Sequence, residues 1–415
     1  MNLLVTGGAG FIGSNFIRLR LAGSGDTIVN LDALTYAGNL ANLQEFDGDA
    51  RYRFIRGRIE DPAKVKEAMT GIDAVVHFAA ESHVDRSIAD AAPFITTNVL
   101  GTHVLLDAAH KAGVKRFVHV STDEVYGALG KEGRFTETTP FRPRSPYSAS
   151  KVAGDMLAQA FWETHKLPVM VVRPSNNYGP YQFPEKLIPL MVTNLVEGRK
   201  VPLYGRGENV RDWLHVEDCC RAIEIVLDRG KPGEAYNIGG ESERRNIEVV
   251  NLVIALMGLT TQVEAKAKVE PGMSAPISAS TSTSTSPRTS TSAREPGTKN
   301  HKPETSVREP GTKNHKPVPS DRGPKTADRE PRTKNQEPET DEFIEFVEDR
   351  PGHDFRYALD NAKIRAELGW HPEIQFEDGL RRTVDWYREH PEWWQPLKAR
   401  LNRESAGFWT KDRQR

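Results

Sequence analysis

The chain has 415 residues, with 56 Lys and Arg set against 57 Asp and Glu, so no global field draws in nucleic acid or an anionic membrane. That length suffices for two or three units with a sizeable core. Its only cysteines, the adjacent Cys219 and Cys220, exclude a disulfide framework and a cysteine metal site, and no metal is expected. A reducing cytoplasm suits that usage. Met1-Asn2-Leu3-Leu4-Val5-Thr6 has no basic leader, and no apolar run reaches the roughly 18 residues of a membrane span. A soluble cytoplasmic protein with no membrane partner is expected.

Leu3-Leu4-Val5-Thr6 reads as a buried strand, and Gly7-Gly8-Ala9-Gly10-Phe11-Ile12-Gly13 follows it directly, before a helical pattern over 14–21. Gly7, Gly10 and Gly13 permit a tight turn, close approach to a pyrophosphate and close helix packing, and the helix N-terminus supplies phosphate donors. This predicts a dinucleotide site. A second strand, Thr27-Ile28-Val29-Asn30-Leu31, ends at Asp32. A carboxylate there, about 20 residues beyond the glycines, accepts ribose hydroxyls and favours NAD over NADP; an Asp closing a strand is also an ordinary turn residue.

Asp73-Ala74-Val75-Val76-His77-Phe78 is another buried strand, leading into the small residues Ala79-Ala80 and then Glu81-Ser82-His83. His77 reads as a packed core histidine, and His83 is left open. Residues 98–113 carry apolar positions in helical rhythm. The strand Arg116-Phe117-Val118-His119-Val120 then ends in Ser121-Thr122-Asp123-Glu124-Val125-Tyr126-Gly127. Carboxyl ends of parallel strands face the ligand crevice, so Thr122 and the acid pair Asp123 and Glu124 are placed for chemistry.

Tyr147 and Lys151, in Tyr147-Ser148-Ala149-Ser150-Lys151, share one face of a helix opened by Ser145-Pro146. A phenol with a pKa of about 10 is a poor base, but a nearby ammonium and an oxidised nicotinamide favour its phenolate. The same spacing occurs on any helix, and the preceding acid pair gives it meaning. Strand Val169-Met170-Val171-Val172-Arg173 leads into Pro174-Ser175-Asn176-Asn177-Tyr178-Gly179-Pro180, whose amides suit sugar hydroxyls. Up to here the alternation predicts an α/β, Rossmann-like, doubly wound parallel sheet over 1–184.

From about 185 the pattern changes to a helix over 187–197, a strand over 201–204 and a turn carrying Arg211, a candidate fork for a diphosphate or a solvated arginine. Residues 185–264 and 342–398 are expected to form a smaller sugar-nucleotide lobe, with a strand at 343–347 and helices at 361–368 and 377–390. Between them, 265–341 holds a Ser/Thr run and the unit Arg294-Glu295-Pro296-Gly297-Thr298-Lys299-Asn300-His301-Lys302-Pro303, repeated at 308–317 and, altered, at 329–338. With little apolar surface to offset chain entropy, this low-complexity insert is expected to be disordered. Residues 399–415 are expected to be a tail.

The motifs at 7–13, 121–127 and 147–151 resemble the extended short-chain dehydrogenase/reductase superfamily, in its NAD-dependent epimerase/dehydratase family. Ala79 to Ser87, Asn176 to Tyr181, Phe183 to Pro189, Val210 to Leu214 and Asp349 to Asp354 resemble its dTDP-glucose 4,6-dehydratases. Epimerases usually lack the acid pair, whereas losing water needs one group to take a proton and one to give it. The resemblance implies that Tyr147, with Thr122 and Lys151, deprotonates the 4-hydroxyl of dTDP-glucose as NAD takes hydride. Glu124 then takes the C5 proton, Asp123 protonates the departing 6-hydroxyl, and hydride returns to C6. It further implies cofactor contacts at Phe11, Ile12, Asp32, Thr35, Ile59, Ala80, Thr97, Tyr147, Lys151 and Asn177, joining Gly7, Gly10 and Gly13. Substrate contacts are implied at Ser82, Thr122, Asn176, Lys186, Arg211, Asn246, Arg350 and His353, together with a homodimer that uses 98–113. Arg58, Phe355 and Cys219-Cys220 depart from the family pattern, and Arg58 cannot accept from an adenine amine as the usual Asp does. Two other readings stay open: a UDP-glucose 4,6-dehydratase or 4-epimerase, and a non-catalytic nucleotide-sugar-binding protein whose repeats recruit a partner.

Overall fold

The computed structural model describes residues 1–259, 342–349 and 352–408. The insert expected at 265–341, Arg350 and the end of the expected tail lie outside them. Strand β1 (Asn2–Thr6), helix α1 (Phe11–Gly23), β2 (Thr27–Asp32), β3 (Tyr52–Arg56), α2 (Pro62–Ala68) and β4 (Ala74–His77) open the fold. Helix α3 (Val84–Ala89) follows, and a π-helical stretch, Ile95–Gly101, feeds α4 (Thr102–Ala112). Next come β5 (Arg116–Val120), α5 (Pro146–His165) and β6 (Val169–Pro174). The 98–113 helix is thus wider-wound at its start than a 3.6 repeat predicts, which matters for Asn98 below.

The large sheet has seven strands, and its last is β10 (Ala235–Ile238), giving the order β10-β6-β5-β4-β1-β2-β3. Every neighbouring pair in it is parallel. Side chains alternate across the sheet: Leu3, Val5, Val76, Val118 and Val172 pack with Phe16, Ile17, Ile223 and Val226. On the other face Leu4, Val75, Phe117 and Val171 pack with Val65, Leu105, Leu106 and Ala158. Covering both faces explains why these strands read as continuous apolar runs.

Past residue 184 the chain does not leave this sheet for good, as the expected division had it. After β7 (Asn176–Tyr178), α6 (Leu187–Val196), β8 (Val201–Tyr204) and β9 (Val210–His215), helix α7 (Val216–Arg229) returns beside α1, and β10 pairs with β6. Strand β11 (Glu243–Arg245) joins β9 and β7 in a three-stranded sheet, and β12 (Ile344–Val347) pairs with β8. Helix α8 (Asn246–Leu256) was not among the expected elements, whereas α9 (Ala362–Leu368) and α10 (Phe376–Glu389) fall within one residue of the expected lobe helices. Helix α11 (Pro391–Phe408) runs through residue 399, where a tail was expected, because Trp394 is fully buried with its indole N–H on the Tyr387 carbonyl. A third core, with Ile188, Val192, Trp213, Val253, Leu380 and Trp394, holds these pieces together.

Candidate active site

One cleft opens along the carboxyl ends of the large sheet, and it draws in all thirteen expected cofactor contacts from Gly7 to Asn177. The turn after β1 is closed tightly: a Cβ on Gly13 would stand 2.4 Å from the Gly7 carbonyl oxygen, and one on Gly7 only 2.6 Å from the Ala79 nitrogen. Helix α1 starts at Gly10 with no side-chain cap, so its first-turn N–H groups are left to an anion. Asp32 accepts from the Ala9 and Leu34 N–H groups at 2.9 and 2.8 Å and keeps lone pairs for ribose hydroxyls. Burial pushes its carboxyl up, a cost that a donor ligand lowers. These features fit NAD.

At the end of β5, Thr122 caps a single 3₁₀ turn, Asp123–Tyr126. Asp123 is buried at 2 % exposure, and its Oδ2 has no hydrogen-bond partner among the described residues. Burial, then the charges of Glu124 and Asp212, push its carboxyl well above the ordinary range and so favour its protonated form. An acid and a neighbouring acceptor therefore sit at one strand end. Thr122, Glu124, Ser82, Asn176 and Lys186 line the same cleft.

Helix α5 presents Tyr147, Lys151 and Asp155 on one stripe, four residues apart, and all three are buried. Burial and the Glu124 charge hold the proton on Tyr147, while hydrogen bonding with Thr122 pulls the other way. Lys151 Nζ donates to the Val120 carbonyl at 2.7 Å. Burial brings its pKa down to about 8, and the charge of Asp155 opposes that fall. Asp155 is itself held down to about 2, despite its burial, chiefly by Arg173, whose Nε donates to it at 2.9 Å.

The π-helical stretch explains a residue that periodicity missed. Asn98 on it accepts from the Glu81 N–H at 2.9 Å and donates to the Glu81 carbonyl at 3.0 Å and to Ser150 Oγ at 2.8 Å. It ties the loop after β4 to the helix of Tyr147. His77, as expected, is core: it bonds Thr6 and Thr102, and burial pushes it down. His83 caps α3. Also missed were Tyr36 and Glu185, which line the cleft with Arg86 between them, 4.1 Å above the Tyr36 ring and 3.2 Å from the Glu185 carboxylate. No short motif announces a contact between residues so far apart in sequence.

The remaining substrate candidates form a second group beside the cleft. Arg211 donates to the Asp354 carbonyl at 3.0 Å, and Asn209, which also reaches that carbonyl, accepts from the Asn246 N–H. Asn246 is buried with its Oδ1 unpartnered among the described residues, and His353 bonds Asp349 at 2.6 Å. Arg211 lies close enough for its charge to act on Asp123. Arg58 pairs with Glu60 at the cleft's edge, Phe355 is exposed, and both cysteines are buried and unbonded to each other. Among the described residues no cluster of His, Cys, Asp and Glu could hold a metal.

Comparison with known proteins matches residues 4–296 and 302–383 to the family model described as GDP-mannose 4,6 dehydratase. A dTDP-glucose 4,6-dehydratase of Streptomyces niveus is 43% identical over 404 residues, covering 96% of each chain. The dTDP-glucose 4,6-dehydratase of Streptomyces venezuelae, solved with NAD and TYD bound, superposes with a TM-score of 0.75 at 43% identity, covering 96% of this chain and all of that one. The enzyme of Bacillus anthracis in complex with NAD gives 0.72 at 42% identity, covering 96% of this chain and 99% of that one.

The stripe on α5 makes a prediction that needs no substrate. Removing the Asp155 charge takes away the anion opposing the fall of Lys151, so Asp155→Asn lowers the Lys151 pKa by about one unit or more from its value near 8. Titration of the labelled lysine by NMR checks this; an unchanged or higher midpoint would contradict the pairing.

Proposed function

The chain belongs to the GDP-mannose 4,6 dehydratase family, among its dTDP-glucose 4,6-dehydratases, and from that premise we propose the roles by which its residues act. It is an NAD-dependent hydro-lyase that turns dTDP-glucose into the 4-keto-6-deoxy sugar nucleotide. The observation that carries the assignment of roles is the buried Asp123, its carboxyl pushed well above the ordinary range, directly beside Glu124 in the lining of the cleft.

Bound NAD supplies the acceptor for hydride from C4 and gives hydride back to C6. Tyr147 takes the 4-hydroxyl proton, and Lys151, held cationic by Asp155, favours the phenolate that does so. The resulting 4-ketone acidifies the C5 hydrogen, which Glu124 removes. Asp123 gives its proton to the 6-hydroxyl, and water leaves. Gly7, Gly10, Phe11, Ile12 and Gly13 hold the pyrophosphate, Asp32 the ribose, and Thr35, Ile59, Ala80, Thr97 and Asn177 the rest of the cofactor. Ser82, Asn176 and Lys186 hold the sugar end of the substrate, and Arg211, Asn246, Arg350 and His353 its diphosphate end.

The lobe of residues 185–259, 342–349 and 352–398, less α7 and β10, covers the nucleotide in this reading. A second copy packs on the α4 and α5 side, where Ile95, Leu100 and Met156 are exposed apolar residues. A cytoplasmic location accords with two buried thiols left unpaired.

Two outcomes check this reading. Glu124→Gln retains C4 oxidation, seen as reduced-nicotinamide absorbance on mixing with dTDP-glucose, yet forms product slower by about 100-fold or more; normal dehydration by that variant would move the base elsewhere. Leu100→Glu, placing a charge on the exposed face, converts dimer to monomer in sedimentation, and a wild-type monomer would dispose of the dimer.

A further inference from the structure

The last helix of the chain reaches back to the first turn. Ala9, within that turn, is held on both sides of its backbone: its N–H donates to Asp32 Oδ2 at 2.9 Å, and its carbonyl accepts from the Asn39 N–H at 3.0 Å and from Asn42 Nδ2 at 2.9 Å. Both lone pairs of the carbonyl are used. The peptide between Ala9 and Gly10 is thereby fixed where α1 begins, and the first-turn N–H groups of that helix are aimed before any anion arrives.

Asn42 is buried, and chemistry sets which way its amide faces. Its Oδ1 accepts from Trp393 Nε1 at 2.9 Å, an indole N–H that can only donate, while its Nδ2 meets a carbonyl that can only accept. Turning the amide over would lose both bonds. Two turns further along α11, Arg400 donates to the Tyr36 carbonyl, and its guanidinium lies 5.9 Å from the centre of the Phe183 ring. Thr35, Tyr36, Ala37 and Gly38 line the cleft, so α11 braces both the turn and the wall beside it.

We propose, on the reading that NAD lies along the turn after β1, that Trp393 is a positioning residue for the cofactor: acting through Asn42, it makes α11 a strut that slows the release of NAD. The strut has its own footing. Trp394 is fully buried, and Lys398 Nζ donates to Thr193 Oγ1 and Asn194 Oδ1, each at 2.8 Å, and pairs with Glu197 at 3.0 Å. These anchors lie on or next to α6, away from Asn42, so the helix stays docked whether or not the indole reaches the asparagine. A turn already held in shape costs the cofactor little ordering on binding. Retention matters to the chemistry, because the NADH formed at C4 must still be in place to reduce C6.

Exchange of bound NAD for radiolabelled NAD, with no sugar nucleotide present, tests the strut. Trp393→Phe, which keeps an aromatic ring but loses the N–H, releases NAD about fivefold faster than wild type, the cost of leaving one side chain to be ordered. Hydrogen exchange along α11 stays as slow as in wild type. Asn42→Ala, or Asn42→Ser should the alanine variant not fold, releases NAD faster still, and adding Trp393→Phe to it changes nothing further, because the tryptophan acts through the asparagine. Unchanged release from Trp393→Phe, an effect that persists in full without Asn42, or faster release accompanied by fast hydrogen exchange along α11 would overturn the strut. A wild type that binds no NAD in equilibrium dialysis would overturn the cofactor reading and the strut together. The catalytic roles are read separately, from turnover of dTDP-glucose, so they and the strut can fail independently.

Discussion

Burying Asp123 at the carboxyl end of β5, with Glu124 next to it, is the constraint on which the rest of the site depends. A carboxylate taken out of water beside a second one is costly unless it keeps its proton, and keeping the proton is what makes it an acid at neutral pH. The fold enforces this choice. The parallel sheet delivers Thr122 and Asp123 to the crevice, the 3₁₀ turn stops Asp123 from reaching solvent, and Asp212 adds a further negative charge from the lobe. One buried group thus ties the cofactor sheet to β9.

Opposite charges are arranged in the same spirit on α5. Lys151 is buried against the Val120 carbonyl and would lose its proton more readily still without Asp155 one turn on, and Asp155 is secured by Arg173 from β6. Tyr147, one turn before Lys151, lies in the field of the Glu124 and Asp123 carboxyl groups. Burial and those charges hold its proton, and a bound oxidised nicotinamide, being cationic, would oppose them.

Much of this was legible in the sequence because it is local. Gly7 to Gly13 must follow a strand and open a helix, Tyr147 and Lys151 share a face through their spacing, and the acid pair follows directly on β5. The thirteen expected cofactor positions all reach one cleft. What escaped depends on tertiary contact. Asn98 lies on a π-helical stretch that a 3.6 period does not describe, and Tyr36 and Glu185, far apart in the chain, come together with Arg86 against both. The return of α7 and β10 to the large sheet was hidden because the alternation of strands and helices pauses for α6, β8 and β9. Helix α11 was missed because its charged surface outweighs the few buried side chains, Trp394, Leu397 and Lys398, that dock it.

The protonation state of Asp123 in the resting holoenzyme tests the central claim most directly. Infrared difference spectra of wild type against Asp123→Asn at neutral pH should reveal a carbonyl stretch of a protonated acid that the variant lacks. A carboxylate band in its place would mean that Asp123 is ionised at rest, and the division of labour between it and Glu124 would be wrong.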